Sequence, residues 1–242
     1  MLSGAGLSKA SGIPTYRDAD GLYENSDNMQ YSSIEAYRRD PSAFLKFWSD
    51  RRRDIGPVQP NPGHLALRDL QKLKPGTVVS TQNVDGLLTG AGCTDVLEMH
   101  GSMCQVQCDR CGTSPATAFL GRCIQCFARV RPAVVLFGES LSPNTLRVAN
   151  FSARNCDVIL VVGTSAVVDP VAELPTIALK AGARMVVVNT EETVLSRAAD
   201  VFIQGPAETL LPELIDRARI IAGSRALLAD SSIQVAAKLK QT

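Results

Sequence analysis

Between Ile34 and Arg53 apolar residues fall at Ile34, Tyr37, Phe44, Leu45, Phe47 and Trp48, a helical spacing interrupted at Asp40-Pro41. Proline is accepted at the start of a helix and not inside one, so the pattern predicts two helices that meet at Asp40. Pro57, Pro60 and Pro62 stiffen a connector, Gly63 to Leu73 carries apolar residues on one helical face, and Thr77 to Ser80 is a short strand. Beyond residue 132 the pattern becomes aliphatic runs. Strands are predicted over Ala133 to Phe137, Asp157 to Val162 and Arg184 to Val188, and helices over Pro170 to Ala181 and Thr209 to Ile221. Strand alternating with helix implies an α/β fold, a Rossmann-like parallel sheet with helices on both faces. The stretch from Ala222 onward, rich in Ala and Ser, is expected to be a frayed helix or disordered, and there is no internal repeat.

One segment departs from this pattern. From Cys104 to Arg131 cysteine, glycine and arginine replace the aliphatic runs. Four of the seven cysteines form two CxxC pairs, Cys108 with Cys111 and Cys123 with Cys126, about a dozen residues apart. That spacing suits one tetrahedral zinc held by four thiolates, with no open position for water, so the metal is expected to be structural. Cys104 is a rival ligand by spacing, redox-active dithiols are the alternative use of such pairs, and Cys93 and Cys156 read as small buried residues. The expected division is a Rossmann-like domain at 1–24, 61–103 and 130–221, a small helical and zinc-ribbon domain at 25–60 and 104–129, and a tail at 222–242.

The chain has 242 residues, 25 basic and 24 acidic, for a formal charge of +1. Such a balance gives no electrostatic footprint for nucleic acid or an anionic membrane. The longest apolar runs fall far short of the roughly 20 residues that cross a bilayer, and no secretion signal is evident, so a cytoplasmic location is expected.

The glycine-rich turn Gly4-Ala5-Gly6-Leu7-Ser8 comes almost at once. A nucleotide-binding loop of this kind follows a strand, and that first strand is expected to be missing; a start lying further upstream explains this more simply than a deleted strand. Alone, the turn is weak evidence. Lys9 stands at the third glycine position of the dinucleotide fingerprint, and no acidic residue closes a second strand about 20 residues on.

The continuation is more telling. Gly12-Ile13-Pro14-Thr15-Tyr16-Arg17, Thr81-Gln82-Asn83-Val84-Asp85-Gly86-Leu87, Glu98-Met99-His100-Gly101, Arg131-Pro132 through Phe137-Gly138-Glu139, Gly163-Thr164-Ser165 and Asn189-Thr190-Glu191 follow in order. With the first turn they resemble the ordered motifs of the sirtuins, with Tyr16 where phenylalanine is usual and closest to the bacterial class III branch. The resemblance implies an NAD-dependent protein-lysine deacylase that moves the acyl group to ADP-ribose, releases nicotinamide and consumes NAD as co-substrate. It implies His100 as general base with Asn83 beside it. NAD contacts are implied at Gly4, Ala5, Gly6, Ser8, Tyr16, Arg17, Gln82, Asn83, Asp85, Gly163, Thr164, Ser165, Asn189, Glu191 and Ala207, and zinc at Cys108, Cys111, Cys123 and Cys126. Read without the family, Asn83 and Asp85 are equally a capping pair at a strand-to-helix turn.

Acyl-lysine peptides are the implied partners, bound as an added strand near Val135, Phe137, Gly138 and Glu139. Ala19 resembles the small residue of the branch that removes succinyl and malonyl groups. Trp48 and Arg51 stand where that branch has a Tyr-x-x-Arg pair for the distal carboxylate. Arg51 can bond a carboxylate, and Trp48 offers an indole N–H without a hydroxyl. His64, the second of the two histidines, matches no catalytic motif and reads as a surface or helix-start residue. A catalytically silent NAD-binding or zinc-ribbon module, supported by the absent strand, and mono-ADP-ribosyl transfer are the alternatives.

Overall fold

A computed structural model of the chain describes residues 1–15, 30–113, 118–119 and 121–239, with side chains described as far as residue 224 and not at 118 or 119. Six parallel strands form the main sheet. They are β1 (Leu2–Ser3), β2 (Val79–Thr81), β3 (Val96–Glu98), β8 (Val158–Val162), β9 (Arg184–Asn189) and β10 (Val201–Gln204), in the spatial order β10-β9-β8-β1-β2-β3. Between β3 and β8 the chain forms β4 (Gly101–Cys108), β5 (Ala118–Phe119), β6 (Arg122–Cys123) and β7 (Val130–Val134). The helices are α1 (Ile34–Arg39), α2 (Pro41–Ile55), α3 (Pro62–Leu73), α4 (Leu87–Gly90), α5 (Pro143–Arg154), α6 (Leu174–Lys180), α7 (Val194–Ala198) and α8 (Ala207–Leu239).

The strand expected to be missing is present as a two-residue stub. Leu2 pairs with both Ser80 and Val161, and Ser3 with both Thr81 and Val162. Two residues suffice because the stub sits mid-sheet and bonds on both edges, and because Leu2 and Ser3 are completely enclosed.

Period-two alternation divides the strand side chains between two cores. Ile159 and Val161 of β8 and Met185 and Val187 of β9 pack with Ala149 and Ala153 of α5 and Leu174 and Ala178 of α6. Leu160, Val162 and Val188 face the other way, onto Leu67 of α3 and Leu211 and Ile215 of α8. Burial on both faces is why these strands read as unbroken aliphatic runs.

The predicted helix break is real. The Asp40 carboxylate caps α2 by accepting from the backbone N–H groups of Ser42 and Ala43, with Pro41 in the first turn. A third cluster, Tyr37, Phe44 and Trp48 with Met103, Val134 and Leu136, fastens α1 and α2 to β4 and β7.

One expectation is corrected, and of the two alternatives for the tail the helical one is met. The strand expected at Ala133 to Phe137 runs from Val130 to Val134 and pairs antiparallel with β4, outside the parallel sheet, because the cysteine cluster closes those two strands into a hairpin. The stretch from Ala222, expected to fray or be disordered, continues α8 to Leu239.

Candidate active site

β1, β2, β8 and β9 all end on one edge of the sheet, and their following loops line a cavity of about 1110 Å³. The strand order places helices of opposite faces on either side of β1, the position where open parallel sheets leave a ligand crevice. The first loop fits against the loop after β8 because Gly4 and Gly6 have no side chain. The Gly6 N–H donates to the Gly163 carbonyl at 2.8 Å, and a Cβ on Gly6 would lie 2.8 Å from Gly163 Cα. Gly163 itself has φ +56°, and a Cβ there would lie 2.4 Å from the Leu7 nitrogen. The two loops thus form a bare backbone cradle of the kind that admits a pyrophosphate.

His100 follows β3 and lines the same cavity. Its Nδ1 lies 3.0 Å from the Gln82 carbonyl oxygen, which can only accept, so Nδ1 carries the proton and Nε2 keeps its lone pair. Burial holds its pKa below the ordinary imidazole value, an effect the Gln82 carbonyl partly opposes. The ring is therefore a neutral base in fixed orientation.

Beside it, Gln82 Nε2 donates to Thr164 Oγ1 at 2.8 Å and joins the loop after β2 to the loop after β8. Asn83 Nδ2 donates to the Gly4 carbonyl at 3.1 Å and to Ser8 Oγ at 3.0 Å. Asp85 caps α4 by accepting from the Leu87 N–H at 2.9 Å, so the capping reading holds for it. Asn189 Nδ2 donates to the Glu191 carbonyl at 3.1 Å on the adenosine side implied by the resemblance.

Of the residues singled out, Gly4, Ala5, Gly6, Gln82, Asn83, His100, Gly163, Thr164, Ser165, Asn189, Glu191 and Ala207 share this cavity with Trp48, Val135, Phe137, Gly138 and Glu139. Ser8, which is buried, and Asp85, which is half-buried, do not line it. Tyr16, Arg17 and Ala19 lie outside the described residues. Val168, Asp169 and Thr193, in loops with no periodicity, and Glu208, in the first turn of α8, also line it, and no motif in the sequence marks them.

Of the expected carboxylate pair, the described residues place Trp48 on the cavity wall. The Trp48 indole N–H donates to the Tyr31 carbonyl at 3.0 Å and is spent there, and Arg51 is not among the cavity-lining residues. Around Trp48 the wall is apolar, formed by Val84, Val134 and Leu136. The edge expected to receive a peptide is partly used as well: the Phe137 N–H donates to Ser32 and its carbonyl accepts from Ile34.

Glu139 closes this loop. Its carboxylate accepts from the Leu136 N–H and from Arg131, whose side chain is 7% exposed and also pairs with Asp109 at 3.3 Å. Arg131 lies over the Tyr37 ring, 5.6 Å from its centre, and the Tyr37 hydroxyl donates to Asp109. One buried cation thus ties the knuckle to the loop lining the cavity.

The Sγ atoms of Cys108, Cys111, Cys123 and Cys126 lie within 4.8 Å of one another, with separations of 3.4, 3.6 and 3.7 Å between three pairs. A tetrahedron of zinc–sulfur bonds of ~2.3 Å places its sulfurs about 3.8 Å apart, so the quartet fits zinc. Cys104 lies apart, with its Sγ directed to the Asp85 carbonyl. His64, expected at the surface or at a helix start, is at the helix start and completely buried.

Residues 4–170 match the model of the Sir2 family. An "NAD-dependent protein deacylase 2" of Pyrobaculum aerophilum is 40% identical over 224 residues, 90% of each chain. A Sir2 homologue solved as an NAD complex superposes with TM-score 0.83 at 37% identity, covering 91% of this chain and 88% of that one. A Sir2 complex with a p53 peptide and NAD gives 0.79 at 29%, covering 90% and 92%. With the glycine cradle, the fixed histidine and the thiolate quartet in place, the chain belongs to the Sir2 family.

Proposed function

We propose that this chain is an NAD-dependent protein-lysine deacylase: acyl-lysine, NAD and water give lysine, nicotinamide and O-acyl-ADP-ribose. The observation that carries the proposal is the neutral Nε2 of His100 on the wall shared with the Gly6–Gly163 cradle. Bound NAD supplies a glycosidic bond to a cationic leaving group. The residues of the chain do the rest: the cradle holds the phosphates, Gln82 and Asn83 orient the nicotinamide end, and His100 Nε2 takes a proton from a ribose hydroxyl. Cys108, Cys111, Cys123 and Cys126 would hold zinc with four thiolates and leave no open position, so the metal would brace the hairpin and not activate water.

The relative solved with a peptide supports a peptide segment as the acyl-lysine carrier. The apolar wall at Trp48, Val84, Val134 and Leu136 supports acetyl and other neutral acyl groups over succinyl, whose carboxylate would there meet no indole donor. The β4–β7 hairpin, which shares no ladder with the parallel sheet, supports a division into a Rossmann-like domain (1–24, 61–103, 130–221) and a small domain (25–60, 104–129), with the Tyr37, Phe44 and Trp48 cluster packing across their boundary. The silent-module reading rested on an absent strand, and β1 removes that support. Nicotinamide release with acetyl- and succinyl-lysine peptides tests the proposal. Acetyl-dependent release that is lost in His100→Ala is expected, and no release with either peptide would refute it.

A further inference from the structure

The two cysteine knuckles share a backbone and differ in side chains. In each, the residue after the second cysteine donates its N–H to the carbonyl of the first, Gly112 to Cys108 at 3.0 Å and Phe127 to Cys123 at 2.9 Å. That residue is left-handed in both, with φ +66° at Gly112 and φ +57° at Phe127. Glycine adopts this conformation freely, whereas the Cβ of phenylalanine crowds the following carbonyl. The Phe127 ring gains nothing from the interior in return, since it is 76% exposed, and Ile124 of the same knuckle is 54% exposed. Neither the turn nor the core accounts for these two apolar side chains.

Charge is also set against the local fold. Arg122 and Arg129 face each other across an antiparallel bridge, where like charges repel. Arg122 donates to the Phe127 carbonyl at 3.3 Å, which holds its guanidinium beside the apolar pair, and Arg129 reaches the Tyr37 hydroxyl. Both arginines are exposed, and among the described residues neither forms an ion pair. Residues 104–131 contain four arginines and one acid, Asp109, whose carboxylate is taken by Arg131 and Tyr37. Zinc on four thiolates is itself anionic, yet among the described residues only the Arg110 backbone N–H, and no arginine side chain, bonds a cysteine sulfur. The guanidiniums are therefore not caps for the metal site.

We propose that the tip of the second knuckle, formed by Arg122, Ile124, Phe127 and Arg129, is a docking surface for an acidic segment of a partner protein that carries an apolar side chain. Ile124 and Phe127 receive that side chain, and the two guanidiniums bond carboxylates next to it, an apolar centre within a charged rim. A carboxylate between Arg122 and Arg129 removes their repulsion, and covering Phe127 takes its ring out of water. Nucleic acid fits less well. So few arginines release few counterions, and with +3 in this segment and +1 in the whole chain the rest carries −2, which repels a long polyanion. The inference stands apart from the catalytic reading of the cavity.

Fluorescence anisotropy with the zinc-loaded chain tests it, using three labelled probes: a short glutamate-rich peptide with a central phenylalanine, the same peptide with glycine in place of that phenylalanine, and single-stranded oligothymidylate. The parent should bind the first probe, bind the second ~10-fold more weakly, and lose affinity for both as salt rises. Phe127→Gly should weaken the first probe ~10-fold while the zinc content stays at one equivalent and the thermal midpoint holds or rises, because glycine relieves the left-handed backbone. Arg122→Gln should weaken it ~5-fold and flatten its salt dependence, again at an undiminished midpoint, because the opposed charges are relieved.

The proposal is overturned if the parent does not bind the first probe, if the variants bind it like the parent, or if every variant that binds weakly has also lost zinc or thermal stability. A Phe127→Gly chain that cannot hold zinc leaves the decision to Ile124→Ser, which should weaken binding ~5-fold at an unchanged midpoint. Oligothymidylate that binds more tightly than the peptide, and is lost in Arg122→Gln, would assign the surface to nucleic acid and overturn the protein partner.

Discussion

The two histidines titrate in opposite service. His100 is held neutral by burial, and a base whose pKa is lowered remains a base at lower pH. The acid limb of kcat should therefore fall below the ordinary imidazole value of about 6.5, and a limb at or above it in a pH–rate profile would contradict the assignment. His64 acts on stability. Its folded pKa of about 4 lies beneath the unfolded value of about 6.5, so between these values the unfolded chain binds a proton that the native chain refuses. Stability should decline as pH falls through that window, by up to about 3 kcal/mol, and thermal midpoints at pH 7 and pH 5 should show a smaller drop in His64→Asn. His100 was legible in the sequence because it sits in a motif with one chemical use. The burial of His64 was not, because its ring meets Ser8, 56 residues away in the chain, only in the folded state. The nearest signal was Asn61 three residues before it, which marks a helix start and says nothing of what the ring's far side touches.

At the scale of elements, the short connections carry more than the helices. Arg131 joins Asp109 of the first knuckle to Glu139 of the cavity loop from inside the fold. Removing one partner of a buried ion pair leaves uncompensated charge, so Arg131→Met should cost about 3–5 kcal/mol in urea unfolding. Where the variant folds, the KM for peptide should rise and the KM for NAD hold, because Glu139 braces the Leu136–Gly138 turn and not the glycine cradle. Stripping zinc with a thiol-competing chelator should release one equivalent of metal. Amide exchange should then accelerate in β4 and β7 while β8 and β9 stay protected, because the hairpin shares no ladder with the parallel sheet. Exchange rising equally in both would contradict a separate hairpin. The cysteine spacing foretold this metal site well, since four thiolates in two pairs have few other uses. It could not foretell that β7 would leave the main sheet: an aliphatic run looks the same in a parallel sheet and in an antiparallel hairpin, and long-range pairing decides between them.

For the molecule as a whole, the sheet order is what turns scattered motifs into one site. β1 stands between β2 and β8, so Gly6, Asn83 and Gly163 come from three distant parts of the chain and meet at one carboxyl edge. The motifs foretold that meeting, because each closes a strand, but they misjudged β1, since two residues are too few to show a strand pattern. The partner of the Trp48 indole also eluded the sequence, as its N–H looks available until Tyr31 folds against it. The fate of the acyl group tests the account most directly. The chain should be incubated with NAD and an acetyl-lysine peptide, and the products separated and weighed by mass spectrometry. The account predicts one nicotinamide and one O-acetyl-ADP-ribose for each lysine freed, with none formed by His100→Ala. Lysine freed without loss of NAD, or ADP-ribose found attached to protein with the acetyl group still on the peptide, would contradict it.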